Sequence, residues 1–521
     1  MKDFICQEIQ VPSFLKPLKI LKLNINILNE SKLTRMSYLG QKGYSIPKES
    51  LPVDKQYFIR DSLTIRPFVQ GPVLTQTVTF PAYRESANKF YVPRYFGEEH
   101  FGSPSKSKIP SGDAIDVPFI GELRDNQIPV VKAYFDHVTN NNSLEASGGG
   151  LLELPCAYGK TILSLYICSK LSVKTLIIVH KEFLLNQWIE RMQQFLPSAR
   201  IGKIQGQIFD IENKDVVIGM LQSLSMKDYH ETAFQSFGLT IIDEVHHISS
   251  EVFSCALFKI VTRCMLGLSA TMNRKDGTTK VFKMFLGPVV YKGKRDDEHD
   301  VTVRAIEYKA NDEEFNAVQL DFRGNVQYST LISKLCTYNH RTEFMLKVVK
   351  DMLEENEDQQ IMILAHNKNI LKYMHDAIKT RNIASVGYYI GGMKEQALKE
   401  SETKKVVIAT YSMAAEALDI KSLTTLIMAT PKTEIEQAVG RILRERHSKP
   451  VVVDIIDAHA PFQNQWLKRK VFYKKQNYKI IKISSDVYTP DISKWKQIST
   501  QTKEKGDLPG KCLLKIKKPT T

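Results

Sequence analysis

Leu154-Pro155-Cys156-Ala157-Tyr158-Gly159-Lys160-Thr161 is the stretch on which the reading of this chain turns. A mostly apolar run, Leu151 to Leu154, leads in as a short strand, and a helical pattern, Ile162 to Leu171, leads out. A strand–loop–helix of this kind aims the first N–H groups of the helix into a concavity. The helix dipole adds partial positive charge there, so the feature binds phosphate. Lys160 is placed to reach the terminal phosphates of a nucleotide, and the Thr161 hydroxyl to hold Mg²⁺. The usual pattern starts with a Gly where this chain has Leu154, and Pro155 pre-sets φ instead. The bland alternative is that Gly159 ends a loop and Lys160 is a solvated charge.

The residues around position 243 decide between the two. Leu239-Thr240-Ile241-Ile242 reads as a buried strand running into Asp243-Glu244-Val245-His246-His247. Two adjacent carboxylates at the end of such a strand are costly to desolvate unless a cation or hydrogen bonds compensate. In an open α/β sheet the C-terminal strand ends are where ligands bind. Asp243 suits Mg²⁺, directly or through water, and Glu244 suits positioning and deprotonating an attacking water. The alternative is a surface turn of solvated acids. His246 and His247 are neighbours and point opposite ways on an extended chain, so they are read as polar couplers rather than a metal pair.

Working outward, strand and helix patterns alternate from Ile120 on, which implies parallel sheets covered by helices. Thr175–Val179, Val216–Met220 and Cys264–Thr271 read as further strands, the last ending in Ser269 and Thr271. Tyr291 to about Ile306 reads as an exit strand and linker, and residues 307–340 as a mixed polar connection. A second set of strands follows at Ile361–Ala365, Ser385–Ile390, Val406–Thr410, Thr425–Ala429 and Val451–Ile456, with no phosphate loop among them. This half has Glu436-Gln437-Ala438-Val439-Gly440-Arg441-Ile442-Leu443-Arg444 instead. On a helix, the spacing of Arg441 and Arg444 puts both guanidinium groups on one face. Such forks suit phosphate oxygens and read as arginine fingers for a nucleotide bound elsewhere. The alternative is a helix face paired with its own acids.

The net charge of +15 points to a polyanionic partner. Much of it lies in the segment from Trp466 to Thr521, which holds 15 Lys and Arg against 4 Asp and Glu. Lys468-Arg469-Lys470-Val471-Phe472-Tyr473-Lys474-Lys475 interleaves cations with aromatics, as nucleic acid requires, although a solvated amphipathic helix has the same look. Seven cysteines, none in C-x-x-C spacing, argue for a reducing compartment, cytoplasmic or nuclear, and against a zinc or iron–sulfur site. No apolar run is long enough to span a membrane. The N-terminal part, up to the Ser-, Pro- and Lys-rich stretch Ser103–Gly112, reads as a small α+β domain with an aromatic core. A second reading makes it face nucleic acid through Tyr91, Arg94 and Tyr95.

Taken in order, these motifs resemble those of the superfamily 2 helicases, in the branch that includes the XPB-type DNA helicases. The phosphate loop with its Pro-Cys, the box Asp243-Glu244-Val245-His246 and the segment Gly267–Thr271 resemble that branch's Walker and coupling motifs. The resemblance implies that Gln127 reads adenine, that Gln437 and Asp419 contact the nucleotide, and that His246, Ser269, Thr271 and Thr410 couple it to movement. Arg274-Lys275-Asp276 is similar to the branch's Arg-Glu-Asp loop with Lys in the middle, which leaves its strand-separating role open. The flanks Tyr83–Gly97 and Trp466–Tyr478 resemble the helicases of large nucleocytoplasmic DNA viruses, poxvirus and asfarvirus among them.

The expected architecture is α/β, with two tandem RecA-like domains. Residues 1–112 form the small accessory domain, 113–295 the ATP-binding domain, 296–485 the second RecA-like domain, and 486–521 a basic tail expected to be disordered. The resemblance implies ATP and Mg²⁺ as cofactors and nucleic acid as partner, DNA rather than RNA, with RNA polymerase or transcription factors beside it. A viral member would work in transcription or genome handling, in the host cytoplasm and the virion. An RNA-dependent ATPase, or a translocase that displaces transcripts without unwinding, are the alternatives.

Overall fold

The structure of the protein is a computed structural model. It describes residues 36–68, 79–139, 147–155, 158–247, 250–272, 274, 276–293, 300–416, 420–443 and 449–499. The chain divides into two compact units, Met1–Arg295 and Asp296–Thr521.

The first unit begins with strands β1 (Tyr38–Gly40), β2 (Gly43–Pro47), β3 (Arg84–Glu85), β4 (Lys89–Val92) and β5 (Lys106–Ser107). They form a five-stranded sheet in the order β3-β4-β2-β1-β5. Alternation along the strands sends Leu39, Tyr44, Ile46, Phe90 and Val92 to one face, where all are buried. Helix α1 (Arg94–Phe101) packs onto that face. It can do so because a Cβ on Gly97 would lie 2.2 Å from the Tyr44 ring. Arg94 pairs with Glu98 at 2.9 Å, and the Tyr95 hydroxyl donates to the Gly149 carbonyl at 2.9 Å. Those two side chains therefore serve packing, and the base-stacking expectation for them gives way to a structural one.

Behind this lies an eight-stranded sheet of β6 (Gly148–Glu153), β7 (Thr175–Val179), β8 (Ile201–Gln205), β9 (Ile208–Asp210), β10 (Val216–Met220), β11 (Leu239–Ile242), β12 (Cys264–Ser269) and β13 (Val289–Lys292). The order is β9-β8-β10-β7-β11-β12-β6-β13. All neighbours are parallel except β8 and β9, a hairpin the sequence pattern did not announce. Its strand β9 is exposed, so no apolar alternation marked it. The central strands are buried on both faces, which is why they read as runs dominated by Val, Ile and Leu. Helices α2 (Ile128–Thr139), α3 (Lys160–Leu171), α4 (Glu182–Phe195) and α5 (Thr279–Leu286) belong to the same unit.

The second unit is built on β14 (Thr302–Tyr308), β15 (Gln360–Ala365), β16 (Val386–Tyr389), β17 (Val406–Thr410), β18 (Leu423–Met428), β19 (Val451–Asp457), β20 (Lys479–Ser484) and β21 (Lys496–Ser499). The sheet runs β16-β17-β15-β18-β19-β14-β20-β21 and is parallel but for its last pair. Its helices include α6 (Asn339–Glu355), α7 (Glu436–Arg441) and α8 (Ala460–Lys475). The two parallel-sheet, helix-covered units are RecA-like.

Three expectations are corrected. The exit strand and linker expected from Tyr291 to about Ile306 hold two strands, β13 and β14, in two different sheets. The polar connection 307–340 holds helices Glu313–Asn316 and Tyr328–Thr337, the first capped by Asp312, whose carboxylate accepts from Phe315 N at 2.9 Å. The segment 486–499, expected to belong to the tail, is structured: Trp495 is buried, and β21 pairs with β20 at the sheet edge, while residues 500–521 lie outside the described residues. Among the described residues no helix is long and apolar enough to cross a membrane.

Candidate functional site

The site of the first unit forms where β6, β11 and β12 end. Parallel neighbours put Glu153, Ile242 and Ser269 at one edge of the sheet. The chain leaves β6 through Leu154, buried and bonded through its N–H to the Ser269 carbonyl at 2.8 Å, and through Pro155. Cys156 and Ala157 lie outside the described residues. Gly159 then takes the left-handed region, φ 91°, and caps α3. That conformation favours glycine. Space adds a second reason, since a Cβ there would stand 2.4 Å from Gln127 Nε2.

Gln127, expected to read adenine, is buried against the loop. Its amide donates to the Tyr158 carbonyl at 2.9 Å and accepts from the Arg124 N–H at 3.0 Å. Arg124 donates to the same Tyr158 carbonyl at 2.7 Å, and the Tyr158 hydroxyl reaches the Asn126 carbonyl at 2.9 Å. Gln127 thus fastens the phosphate loop to the segment before α2.

Lys160 and Thr161 open α3. The Lys160 ammonium lies 2.7 Å from Glu244 Oε1, both groups largely enclosed. Asp243 is buried at the end of β11, and its Oδ2 accepts from Trp188 Nε1 at 2.9 Å. Burial first, and then the Glu244 charge, raises the Asp243 pKa above the ordinary carboxylate range, while the Lys160 charge opposes the rise. Glu244 itself sits at φ 49°. A non-glycine residue there stores about 1–2 kcal/mol of strain, a cost met mainly at working sites. The turn brings its carboxylate to Lys160 instead of continuing the strand.

A polar chain continues from there. His246 Nδ1 is 3.4 Å from Glu244 Oε2 and 2.6 Å from Ser269 Oγ, which also bonds the Thr271 carbonyl. Arg274 donates to the His246 carbonyl at 2.8 Å and forks onto Asp276, whose carboxyl it holds well below the usual range. The Arg274–Asp276 pair is therefore turned into its own unit. Lys275 and the side chain of His247 lie outside the described residues. Trp188 is the participant that sequence reasoning passed over. Its signal was a lone Trp beside Gln187 on the helix after β7, with a ring N–H that must find a partner when buried.

Among the described residues no three His, Cys, Asp or Glu side chains form a metal cage. The donor set that is present, the Thr161 hydroxyl and the buried Asp243 carboxylate, fits Mg²⁺, which takes one or two protein oxygens and fills its octahedron with phosphate and water. A cation there would relieve the desolvated Asp243.

The second unit carries the remaining candidates. Gln437 lies half-buried in the first turn of α7, and Arg441 is buried at its end. The helix stops at Arg441, and Arg444 lies outside the described residues. Thr410 ends β17, its hydroxyl 3.2 Å from Ser412 Oγ. Asp419 lies outside the described residues.

Known proteins match this sequence. Residues 120–274 match the family described as Type III restriction enzyme, res subunit, and residues 345–446 match the helicase conserved C-terminal domain. A protein of Acanthamoeba polyphaga mimivirus, named as an ATP-dependent RNA helicase, is 31% identical over 467 residues, 87% of each chain. One from African swine fever virus with the same kind of name is 28% identical over 67% of this chain and 72% of its own. A helicase of Invertebrate iridescent virus 6 is 25% identical over 72% of this chain and 87% of its own. The chain thus belongs to the superfamily 2 helicases, ATP-hydrolysing enzymes, and within them resembles the helicases of large DNA viruses.

Proposed function

We propose that the protein is an ATP-driven DNA helicase or translocase of the XPB-like branch, working in viral transcription or genome handling. The observation that carries the reading is the Lys160–Glu244 pair, held at the mouth of a phosphate loop beside the buried Asp243. Lys160 binds the β and γ phosphates of ATP, and Thr161 and Asp243 hold Mg²⁺, which neutralises phosphate charge when bound. Glu244, released from Lys160, orients water for attack on the γ phosphate. His246 and Ser269, joined to it by polar contacts, couple the state of the site toward Thr271. Gln127, Gln437 and Asp419 bind the nucleotide. Arg441 and Arg444 supply the charge that stabilises the transferring phosphoryl group, worth about 10³-fold or more in rate.

A second reading is an RNA-dependent ATPase that remodels RNA or ribonucleoprotein. The names of the mimivirus and African swine fever virus relatives favour it. ATP turnover of the purified protein, measured without nucleic acid, with DNA and with RNA, separates the two. Stimulation by DNA alone supports the first reading and stimulation by RNA the second. Lys160→Ala is expected to abolish turnover in every condition, and turnover near wild type would overturn the assignment of the site.

A further inference from the structure

We infer that the face of the N-terminal sheet turned away from its core is a stacking platform for the bases of a single nucleic-acid strand, with phosphate contacts from Arg84 and Lys108. The inference rests on the proposed reading of a nucleic-acid-dependent enzyme and adds a binding site outside its helicase motifs.

Strand register carries it. Tyr38 pairs with Ser45, Ser45 with Tyr91, and Tyr91 with Arg84. Directly opposed residues in a sheet point to the same face. Arg84, Tyr91, Ser45 and Tyr38 therefore form one row across β3, β4, β2 and β1. Their strand neighbours Leu39, Tyr44, Phe90 and Val92 point the other way and are buried in the core. The row floors an open cleft of about 540 Å³, whose far wall comes from Asp228–Gln235 and Phe258–Lys259 of the same unit. That volume is in the range of small-ligand sites, about 300–1,000 Å³.

The chemistry of the row is that of a nucleotide site. Tyr38 and Tyr91 are partly buried rings with the small, buried Ser45 between them. The Arg84 guanidinium lies 5.3 Å from the Phe258 ring centre and the Lys108 ammonium 4.4 Å from that of Tyr38. Lys42 and Lys259 also line the cleft, but Glu231 takes Lys42 at 2.7 Å and Asp228 stands 3.8 Å from Lys259. Arg84 and Lys108 have no carboxylate in ion-pair range among the described residues, so two positive heads remain on the rim. Aromatic faces stack bases whatever their sequence, and cations beside them hold the backbone. A sheet face bearing such rings is a recurring way to seat splayed-out bases. The ligand unit, a base with its phosphate, comes from a strand or from a free mononucleotide, and the experiment separates these sources.

The test uses the full chain and labelled single-stranded DNA and RNA of mixed sequence, followed by fluorescence anisotropy across a salt series. Tyr91→Ala is expected to weaken binding roughly tenfold, as loss of one base stack does, and Tyr91→Phe to restore it. Arg84→Glu is expected to weaken binding and flatten the salt dependence by at least about 0.7 in log–log slope. ATP turnover without nucleic acid stays at the wild-type level in all three. Iodouracil-substituted strands should crosslink to Tyr91 or Tyr38 in peptide maps. Competition by a nucleoside monophosphate, without strand binding, would keep the cleft and make the free nucleotide its ligand. Unchanged strand affinity in Tyr91→Ala and Arg84→Glu, with crosslinks only elsewhere, overturns the proposal while leaving the enzyme reading intact. If the wild-type protein neither binds strands nor responds to them in turnover, both fail together.

Discussion

Asp243 shows how a single buried carboxylate sets demands on its surroundings. It needs a donor, and Trp188 Nε1 is that donor at 2.9 Å. Trp188→Phe keeps an aromatic ring but removes the N–H and leaves part of the buried indole space empty. Leaving a buried acceptor unmet costs about 1–3 kcal/mol by itself, so urea unfolding of the variant should show a drop of at least that size, with slower ATP turnover beside it. Gly159 sets a demand of a different kind. Gly159→Ala meets both φ 91° and the Gln127 amide. It should lower the melting temperature by an amount equivalent to at least about 1–2 kcal/mol and weaken ATP binding in titration calorimetry. The residue types of the site were legible in the sequence, because Gly-Lys-Thr and Asp-Glu are short and their chemistry is local. What was not legible was the company they keep. The Trp188 bond, and the Gln127 grip on Tyr158, join positions far apart in the chain, and no spacing rule reports them.

At the scale of elements, the strands buried on both faces were readable to within a residue or two: Thr175–Val179, Val216–Met220 and Val406–Thr410 are continuous apolar runs. Elements with one wet face were harder to see, as the hairpin Ile201–Asp210 and the edge strand Lys496–Ser499 demonstrate. Helix α8 teaches the same lesson about function. Its mixture of cations and aromatics invited a nucleic-acid reading, but Trp466, Arg469 and Tyr473 are buried. Arg469 forks onto the buried Asp454 at 2.8 Å through both Nε and Nη2, and the Tyr473 hydroxyl donates to Asp454 at 3.0 Å. The tail's charge count had treated Arg469 and Lys468 alike; only the latter is exposed. Arg469→Ala strands a buried carboxylate, and should destabilise the second unit by about 3–5 kcal/mol. A thermal melt checks this, and affinity for nucleic acid at a temperature where the variant is folded should change little.

Across the whole molecule, each unit owns a parallel sheet and a buried core. The phosphate loop and acidic pair belong to one, and Gln437 and Arg441 to the other. The first unit expressed alone, residues 36–295, should therefore bind ATP in calorimetry yet turn it over about 10³-fold or more slowly than the full chain. Equal turnover would remove the arginines from the reaction. The pair Lys160–Glu244 gives this division of labour its timing. While Glu244 Oε1 grips the lysine, that oxygen is not turned to water, and while the lysine is gripped its charge is already answered. On the proposed mechanism, arriving phosphates must win the lysine away, and that same exchange releases the carboxylate. Loading and arming are then one event, an interlock, and the enzyme idles with its base safely engaged until there is fuel to spend.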